Sequence, residues 1–372
     1  MDRKRLKARV LHSLRHQGFK VEDGRILPPQ TTDKATIRKM HETAVKHRVE
    51  FAGRHLARHE LRLLDRFAKG KELIPQQINP RLIEVKADSE DELLFRYCCL
   101  HWSIPVSSGY GRRLRFLVVD QQNRKLIGLF GLCDPVYSLA ARDQWIGWSP
   151  ASRATNLKYV MDAFVLGAMP PYSSLLCGKL VAMLAASNVV RRAFKRKYQS
   201  SSALISKSRQ DGRLALITTT SALGRSSVYN RIRFQHGPMY HPVGFTKGSG
   251  EFHFANGLYA AVLDHAKEHC IPTAKQEPWG IGFRNRREVV KKCLIDIGLS
   301  SDLLYHGVQR EIFCVPLAAN SRDFLRGDHS RLRWLDHDVD ELSSYFRERW
   351  AIPRSNRDTS YQHFDPATLR LW

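Results

Sequence analysis

The sequence predicts an α/β (α+β) protein, in which a mixed, twisted sheet with flanking helices follows a basic helical N-terminal region. Two short β-rich runs around a polar turn predict an antiparallel hairpin at residues 114–132. Further apolar runs alternate with helical segments up to about residue 234. Hydrophobic residues make up 43% of the chain, which is ample material for a buried core.

Residues 1–75 form the first predicted region, a basic helical one. Apolar residues recur there near helical spacing at Leu56, Leu63, Leu64 and Phe67. Pro28-Pro29 divides a first helix from a longer one near Thr36–Lys69. Positions 1–71 hold nineteen basic and eight acidic residues, so nearly half of the net charge of +24 lies in a fifth of the chain.

Residues 76–265 form the second predicted region and contain the sheet. Strands are expected over Leu114–Val119, Lys125–Leu132, Tyr159–Met169 and Leu214–Thr219. Helices are expected over Glu90–Cys99, from Ser149-Pro150 onward, over Leu175–Ser187 with a continuation through 191–197, and over Ser226–Phe234. Residues 266–372 mix basic clusters with acidic helical stretches and form a third region. No linker marks a sharp boundary between these regions.

The charge favours a polyanionic partner, and DNA or another nucleic acid is the abundant intracellular polyanion. Cations contact phosphates, and interleaved aromatic side chains can stack on exposed bases. Two clusters are therefore candidate nucleic-acid-binding residues: Arg191, Arg192, Lys195, Arg196 and Lys197, and then Arg284, Arg286 and Arg287. The alternatives are a basic surface that serves only solvation, and a helix C-terminus at which cations are favoured by the dipole.

Cysteine usage and apolar patterning indicate a cytoplasmic protein. The seven cysteines form no CxxC pair, which favours buried reduced thiols over disulfides or a zinc site. The charged N-terminus is not followed by an apolar run, so no signal peptide is expected. No apolar run reaches the roughly 18 residues of a membrane span, so no membrane partner is expected.

No metal site is expected. His55 and His59 share a helix face, but no HExxH or comparable set is present, and ordinary surface histidines explain the pattern. The carboxylates of Asp134, Asp143 and Asp162 could be magnesium ligands of a nuclease, but their spacing matches no pattern typical of such a site.

The order of elements in 114–234 resembles the GNAT acyltransferase superfamily. Leu126–Leu132 matches the second hairpin strand, Asp162–Leu166 the central strand, and Pro171–Lys179 the phosphate-facing loop and helix start. The resemblance implies a GNAT-like core with a cleft between the strands that end near Leu166 and Thr218. In that family, backbone N–H groups at a helix N-terminus hold a pyrophosphate.

The resemblance also implies a set of possible ligand-loop residues: Ser173, Ser174, Gly178, Lys179 and Tyr229. The family pattern of Gln or Arg, two residues, Gly, one residue, then Gly or Ala is not met, because the loop contains only Gly178. We therefore expect no cofactor, with acyl-CoA as the alternative. Whether the chain is an enzyme stays open, with a degenerate GNAT-like transferase as the enzymatic hypothesis.

A second resemblance spans roughly residues 90–320. The segments Gly131–Pro135, Arg142–Trp148, Thr219–Ser227 and Val243–Gly250 look like the signature of the DruA family of the bacterial Druantia anti-phage defence systems. The resemblance implies a role in phage defence beside a large helicase-like partner. It implies no chemistry.

Arg142 and Asp143 are a possible functional pair. The guanidinium could bind a phosphate while the carboxylate orients it. The alternative is a buried ion pair that ties a loop to the core, with Trp145 and Trp148 packed around it.

The leading functional hypothesis is a nucleic-acid-binding component of a multi-protein antiviral defence system, which holds phage DNA for a helicase-like partner. One alternative is a GNAT-like acyl- or group-transfer enzyme that acts on nucleic acid. The other is a structural adaptor whose basic surface meets an acidic partner protein.

Overall fold

A seven-stranded mixed sheet forms the centre of the computed structural model, which describes residues 2–27, 33–202, 209–235, 237–273, 279 and 283–372, without the side chains of 283 and 284. Its strands are β1 Pro80–Glu84, β2 Arg113–Asp120, β3 Leu126–Cys133, β4 Val160–Ala168, β5 Leu216–Thr220, β6 His241–Phe245 and β7 Glu311–Pro316. The spatial order is β6-β7-β5-β4-β3-β2-β1. Only β4 and β5 run parallel. The predicted α/β (α+β) class, a mixed sheet with flanking helices, is confirmed.

Thirteen α-helices lie in the described ranges. They are α1 Arg3–His16, α2 Lys34–Leu56, α3 Glu60–Leu64, α4 Glu90–Cys98, α5 Ala140–Ile146, α6 Pro150–Asn156, α7 Cys177–Ala185, α8 Asn188–Tyr198, α9 Leu258–His269, α10 Phe283–Asp296, α11 Ser321–Arg326, α12 Val339–Phe346 and α13 Ile352–Ser355. A π-helical turn, Arg347–Ala351, joins α12 to α13. Two small hairpins pair Val21–Glu22 with Arg25–Ile26 and Arg233–Phe234 with Gly237–Pro238. None of these helices combines the length and apolarity that crossing a membrane requires.

Side-chain caps fix several helix boundaries. Asp33 and Ser89 accept hydrogen bonds from backbone N–H groups in the first turns of α2 and α4. Ser149 does the same for α6, where Pro150 occupies the first helical position, as the sequence predicts. Gly147 ends α5 with a φ of 86°, a left-handed conformation that glycine adopts without strain.

The long N-terminal helix ends earlier than predicted. Helical structure continues from α2 through a 3-10 turn into α3 and stops at Leu64, not at Lys69. The chain then turns at Gly70, whose N–H donates to Phe364 O at 2.9 Å. A Cβ at position 70 would lie 2.1 Å from Tyr361 O, so only glycine allows this approach. The predicted break at Pro28-Pro29 lies outside the described residues.

The helix predicted over Ser226–Phe234 is wrong. Only Tyr229–Arg231 form a 3-10 turn, and Arg233–Phe234 then enter a hairpin. The side chain of Glu311 explains the difference, because its Oε2 accepts from Ser226 N at 2.8 Å and from Asn230 Nδ2 at 2.9 Å. A carboxylate from a distant strand thus holds the backbone at Ser226 and the side chain of Asn230 in this short turn.

Two strands were not predicted. β1 lies in a segment expected to be irregular, and β7 lies in the region 266–372. β7 inserts between β5 and β6, with Cys314 opposite both Thr218 and His241. The sheet therefore draws strands from residues on both sides of position 265.

Helices cover both faces of the sheet. One face packs on α7, α8 and α12 in the largest core cluster, in which every residue of α7 except Gly178 is buried. The other face carries two clusters, one with α3 and α4 over β2 and β3, and one with α5 and α11 over β4, β5 and β7. Helices α1 and α2 pack against α9 and α10 in a separate cluster.

Residues 369–372 fasten the end of the chain to α2, α3 and α4. The buried carboxylate of Glu60 accepts from Leu371 N at 2.7 Å. The Tyr97 hydroxyl lies 3.0 Å from Glu60 Oε1 and 2.7 Å from Leu369 O. Trp372 lies against Gly53, where a Cβ would sit 2.7 Å from the indole Nε1. We call this set of contacts the terminal clasp.

Candidate functional site

Helix α8 carries the first predicted basic cluster on its outer face. Val190, Ala193, Phe194 and Tyr198 are buried in the main core cluster. Apolar residues at this spacing form one stripe of a helix, so the cations between them point away from the sheet.

Three of the five predicted cations on α8 are held by neighbouring groups. Arg196 forms an ion pair with Glu84 on β1. Lys197 Nζ donates to Arg113 O at 2.9 Å and lies 3.9 Å from Glu84 Oε1. The guanidinium of Arg191 lies 4.5 Å from the Trp334 ring centroid. These contacts fix α8 against β1, β2 and the segment that follows α11.

Arg192 and Lys195 remain exposed, and no hydrogen bond, ion pair or ring contact to either side chain is found among the described residues. Spaced three apart, they lie on the same side of the helix. Arg333 is exposed as well and precedes Trp334 in the chain. We call Arg191, Arg192, Lys195 and Trp334 the α8 patch. Arg333 and Trp334 were not predicted, although the run Arg331-Leu332-Arg333-Trp334 combines cations with an aromatic residue in the same way.

The second predicted basic cluster lies on α10, and the side chain of Arg284 is outside the described residues. Arg286 lies 4.2 Å from the Tyr259 ring centroid, and Arg287 lies 5.8 Å from that of Tyr305. Both face Glu251, where burial raises the pKa of the carboxyl and the two arginines oppose that shift. These arginines are thus half-buried among side chains rather than fully presented to solvent.

The possible ligand-loop residues lie at the start of α7 and beside it. Ser173 and Ser174 form the 3-10 turn before α7, and the carbonyl of Ser174 accepts from Arg354 Nε at 3.2 Å. Gly178 faces open space where a Cβ would stand. Lys179 is only 6% exposed, with Nζ 5.6 Å from the Trp350 ring centroid. Burial lowers the pKa of Lys179, and the nearby Arg231 lowers it further.

Tyr229 lies on the same face of the sheet as α7. It stacks on Tyr240 with ring centroids 4.9 Å apart, and the Tyr240 hydroxyl donates to Ala182 O of α7 at 2.8 Å. Burial raises the pKa of Tyr229 to about 12.

The parallel strands β4 and β5 separate close to these residues. They pair only along Val160–Ala163 and Leu216–Thr219, whereas β4 continues to Ala168. A register shift in the pairing of β4 with β3 falls at the same level, between Gly131 and Leu132.

The Arg142–Asp143 pair is enclosed by the protein. Arg142 is fully buried, with Nε 2.8 Å from Asp143 Oδ1 and Nη1 donating to Val136 O at 2.9 Å. Asp143 Oδ2 accepts from Leu139 N at 3.2 Å and from Arg153 Nη1 at 3.1 Å. The guanidinium lies 5.3 Å from the Trp148 ring centroid. The pair therefore ties the segment before α5 to that helix.

A row of polar residues crosses the centre of the sheet on the face that carries α5. Five directly opposed positions make it up: Cys133, Asp162, Thr218, Cys314 and His241. Opposed residues on neighbouring strands project to the same face. Thr218 Oγ1 donates to Asp162 Oδ1 at 2.6 Å. Burial raises the pKa of Asp162 to about 6, although Thr218 and Arg142 favour its charged form.

The carboxylates of Asp134, Asp143 and Asp162 do not form a magnesium-binding group. Asp134 pairs with Arg112 at 2.6 Å, and Asp143 pairs with Arg142 and Arg153. Within the described ranges, no three His, Cys, Asp or Glu side chains are grouped in a way that could hold a metal ion.

Two comparisons with known proteins agree with each other. The family model for Druantia protein DruA matches residues 31–327. Druantia protein DruA of Escherichia coli (strain UMEA 4076-1) is 37% identical over 371 residues, which covers 99% of this chain and 89% of that protein. The chain belongs to the DruA family. No solved structure matches it.

Membership of the DruA family supports the expected role as a component of the Druantia anti-phage defence system. The DruA family match contains the whole sheet and helix α8, and it ends at residue 327, before Arg333 and Trp334. The Arg142–Trp148 segment, which resembles the DruA family signature, contains most of α5 and the enclosed ion pair.

Proposed function

We propose that this chain is the nucleic-acid-binding component of a Druantia system, and that it holds phage DNA for a helicase-like partner protein. The observation that carries the proposal is the α8 patch, in which Arg192 and Lys195 are exposed and have no acidic partner among the described residues, on a chain of net charge +24. Family membership supplies the defence context.

Phosphate contact is the physical basis of the proposed binding. A lysine or arginine that approaches a phosphate releases condensed counterions, so affinity falls steeply with salt. Arg192 and Lys195 are available for this role, since they lack protein partners among the described residues. Arg196 and Lys197, which contact Glu84, are already engaged.

The test is a salt series of binding to labelled duplex and single-stranded DNA, with two matched double variants. Arg192→Gln with Lys195→Gln removes two charges from the patch, and Arg196→Gln with Lys197→Gln removes two from the same helix. We expect the first variant to flatten the slope of log affinity against log salt by about 2, and the second by less.

Wild-type protein that binds neither DNA form at low salt would contradict the proposal. Salt-sensitive binding to an acidic protein without DNA binding would select the adaptor function instead. No effect of either double variant would remove α8 as the location while leaving DNA binding in place, and equal losses would show that Arg196 and Lys197 contribute as much as Arg192 and Lys195.

A second candidate function is group transfer from a CoA-type nucleotide. The observation that favours it is the separation of β4 from β5 beside the start of α7, with the buried Lys179 in the first turn of that helix. Thermal denaturation with CoA or acetyl-CoA tests it, because a ligand at 100 times its dissociation constant stabilises the native state by about 2.7 kcal/mol. Unchanged melting at millimolar ligand would count against this function.

A further inference from the structure

Trp334 is a large aromatic side chain kept at the surface. It is 39% exposed. Its ring is approached on one face by the guanidinium of Arg191, with 4.5 Å between the guanidinium carbon and the ring centroid. A planar ligand can stack on the part of the indole ring that stays exposed.

The backbone around Trp334 is held in place. Ala319 N donates to Arg333 O at 2.8 Å, and Leu335 N donates to Leu317 O at 3.1 Å. The segment therefore runs antiparallel to the residues that follow β7, with Ala318 and Trp334 as the bridge pair. An aromatic group already fixed in position loses little conformational entropy when a ligand binds it.

Arg191 is fixed as well. Its Nη2 donates to Asn188 Oδ1 at 3.0 Å, and its Nη1 donates to Leu335 O at 3.3 Å. Burial lowers the pKa of Arg191, and Asp336 opposes that shift. The carboxylate of Asp336 is itself held, since its Oδ1 accepts from Asn188 Nδ2 at 2.5 Å.

The combination of a fixed aromatic face with free cations discriminates between forms of nucleic acid. In a duplex the flat faces of the bases are covered by their neighbours, whereas an unpaired base can stack on a side chain. Clustered cations alone would serve both forms equally, through the phosphates.

We propose that the α8 patch binds single-stranded nucleic acid, with Trp334 stacked on an unpaired base and with Arg192 and Lys195 on the flanking phosphates. This inference rests on the proposed function and specifies its ligand. The second basic cluster, at Arg286 and Arg287, is less suited to such binding because both side chains face Glu251.

The experiment measures affinities of Trp334→Ala and Trp334→Tyr for four labelled probes of equal length: oligothymidylate, oligouridylate, an abasic deoxyribose-phosphate strand and a blunt duplex. Trp372→Ala is the matched control, since Trp372 is 38% exposed but belongs to the terminal clasp. Melting temperatures of all variants show whether each one is folded.

We expect Trp334→Ala to weaken binding of the base-bearing strands about tenfold, which corresponds to the loss of one base–aromatic stack. Binding of the abasic strand and of the duplex should change less than about twofold, because those contacts are to phosphate. Trp334→Tyr should restore most of the affinity, and Trp372→Ala should match wild type. The two base-bearing strands separate a DNA preference from an RNA preference.

Equal losses on all four probes, or no loss on any, would overturn the stacking inference while DNA binding itself stands. Failure of the wild-type protein to bind any probe would overturn the proposed function together with it.

Discussion

Replacing Asp162 by asparagine should stabilise the protein at neutral and alkaline pH. Burial raises the pKa of this carboxyl from 3.8 to about 6. The unfolded chain therefore releases the proton at lower pH than the folded chain does, and the native state loses stability as the pH rises from about 4 to above 6. Asparagine carries no proton to lose, and its side-chain oxygen can still accept from Thr218 Oγ1.

The size of the effect follows from the shift. Each pKa unit corresponds to about 1.4 kcal/mol, so the variant should gain about 1.5 kcal/mol at pH 5 and about 3 kcal/mol at pH 8. These are upper limits, because Asp162 keeps partial contact with solvent. Urea unfolding followed by circular dichroism at several pH values between 5 and 8 measures the difference.

Asp143→Asn is the control, since the same chemical change there should have the opposite sign. Asp143 neutralises Arg142, which is fully buried, and removing one partner of a buried pair costs about 3–5 kcal/mol. The reasoning is refuted if Asp162→Asn is destabilising at pH 8, or if its advantage does not grow between pH 5 and pH 8.

Three further outcomes are expected. Burial lowers the pKa of His41 and His253 to about 4 and that of His306 to about 3. The stability that these neutral histidines allow is therefore complete above about pH 7 and should fall as the pH drops towards 4. Hydrogen exchange should then show α1 and α2 opening first. Gly131→Ala should lower the free energy of unfolding by about 1–3 kcal/mol in thermal unfolding, because its Cβ would lie 2.4 Å from the Phe164 ring. Gly178→Ala, in open space on α7, should raise it by up to about 1 kcal/mol. Tyr97→Phe should lower the free energy of unfolding in urea by about 1–3 kcal/mol, because it removes a hydrogen-bond donor from the terminal clasp. Tyr305 is half-exposed, so Tyr305→Phe should leave the free energy of unfolding unchanged.

The elements that the sequence predicts well are those with local signals. The hairpin of β2 and β3, strand β4 and helices α4 and α6 follow from β-rich runs, a polar turn, helical composition and the helix start at Ser149-Pro150. The helix predicted over Ser226–Phe234 failed because Glu311, far along the chain, satisfies the polar groups of that segment. β7 contains the apolar run Ile312–Val315, a local strand signal that the prediction for 266–372 left out, whereas β1 has only Leu82 and Ile83 and becomes a strand by pairing with β2.

The candidate sites divide in the same way. The basic cluster on α8 is evident in the sequence, but which of its cations are free depends on Glu84, which precedes it by more than a hundred residues. The polar row through Asp162 and Thr218 depends on register between strands, which a single sequence does not contain. Trp334 was missed for a similar reason, since its value lies in its proximity to Arg191.

The position of β7 constrains how the chain can reach its native state. β6 pairs only with β7 among the described strands, so it has no place in the sheet until residues 311–316 arrive. Until then β5 presents an unpaired edge of Leu216, Ile217 and three threonines, a sequence well suited to adding a strand from another molecule. A nascent or truncated chain that stops between β6 and β7 should therefore self-associate. Because residues 311–316 join the sheet late, we also expect slow folding and dependence on chaperones.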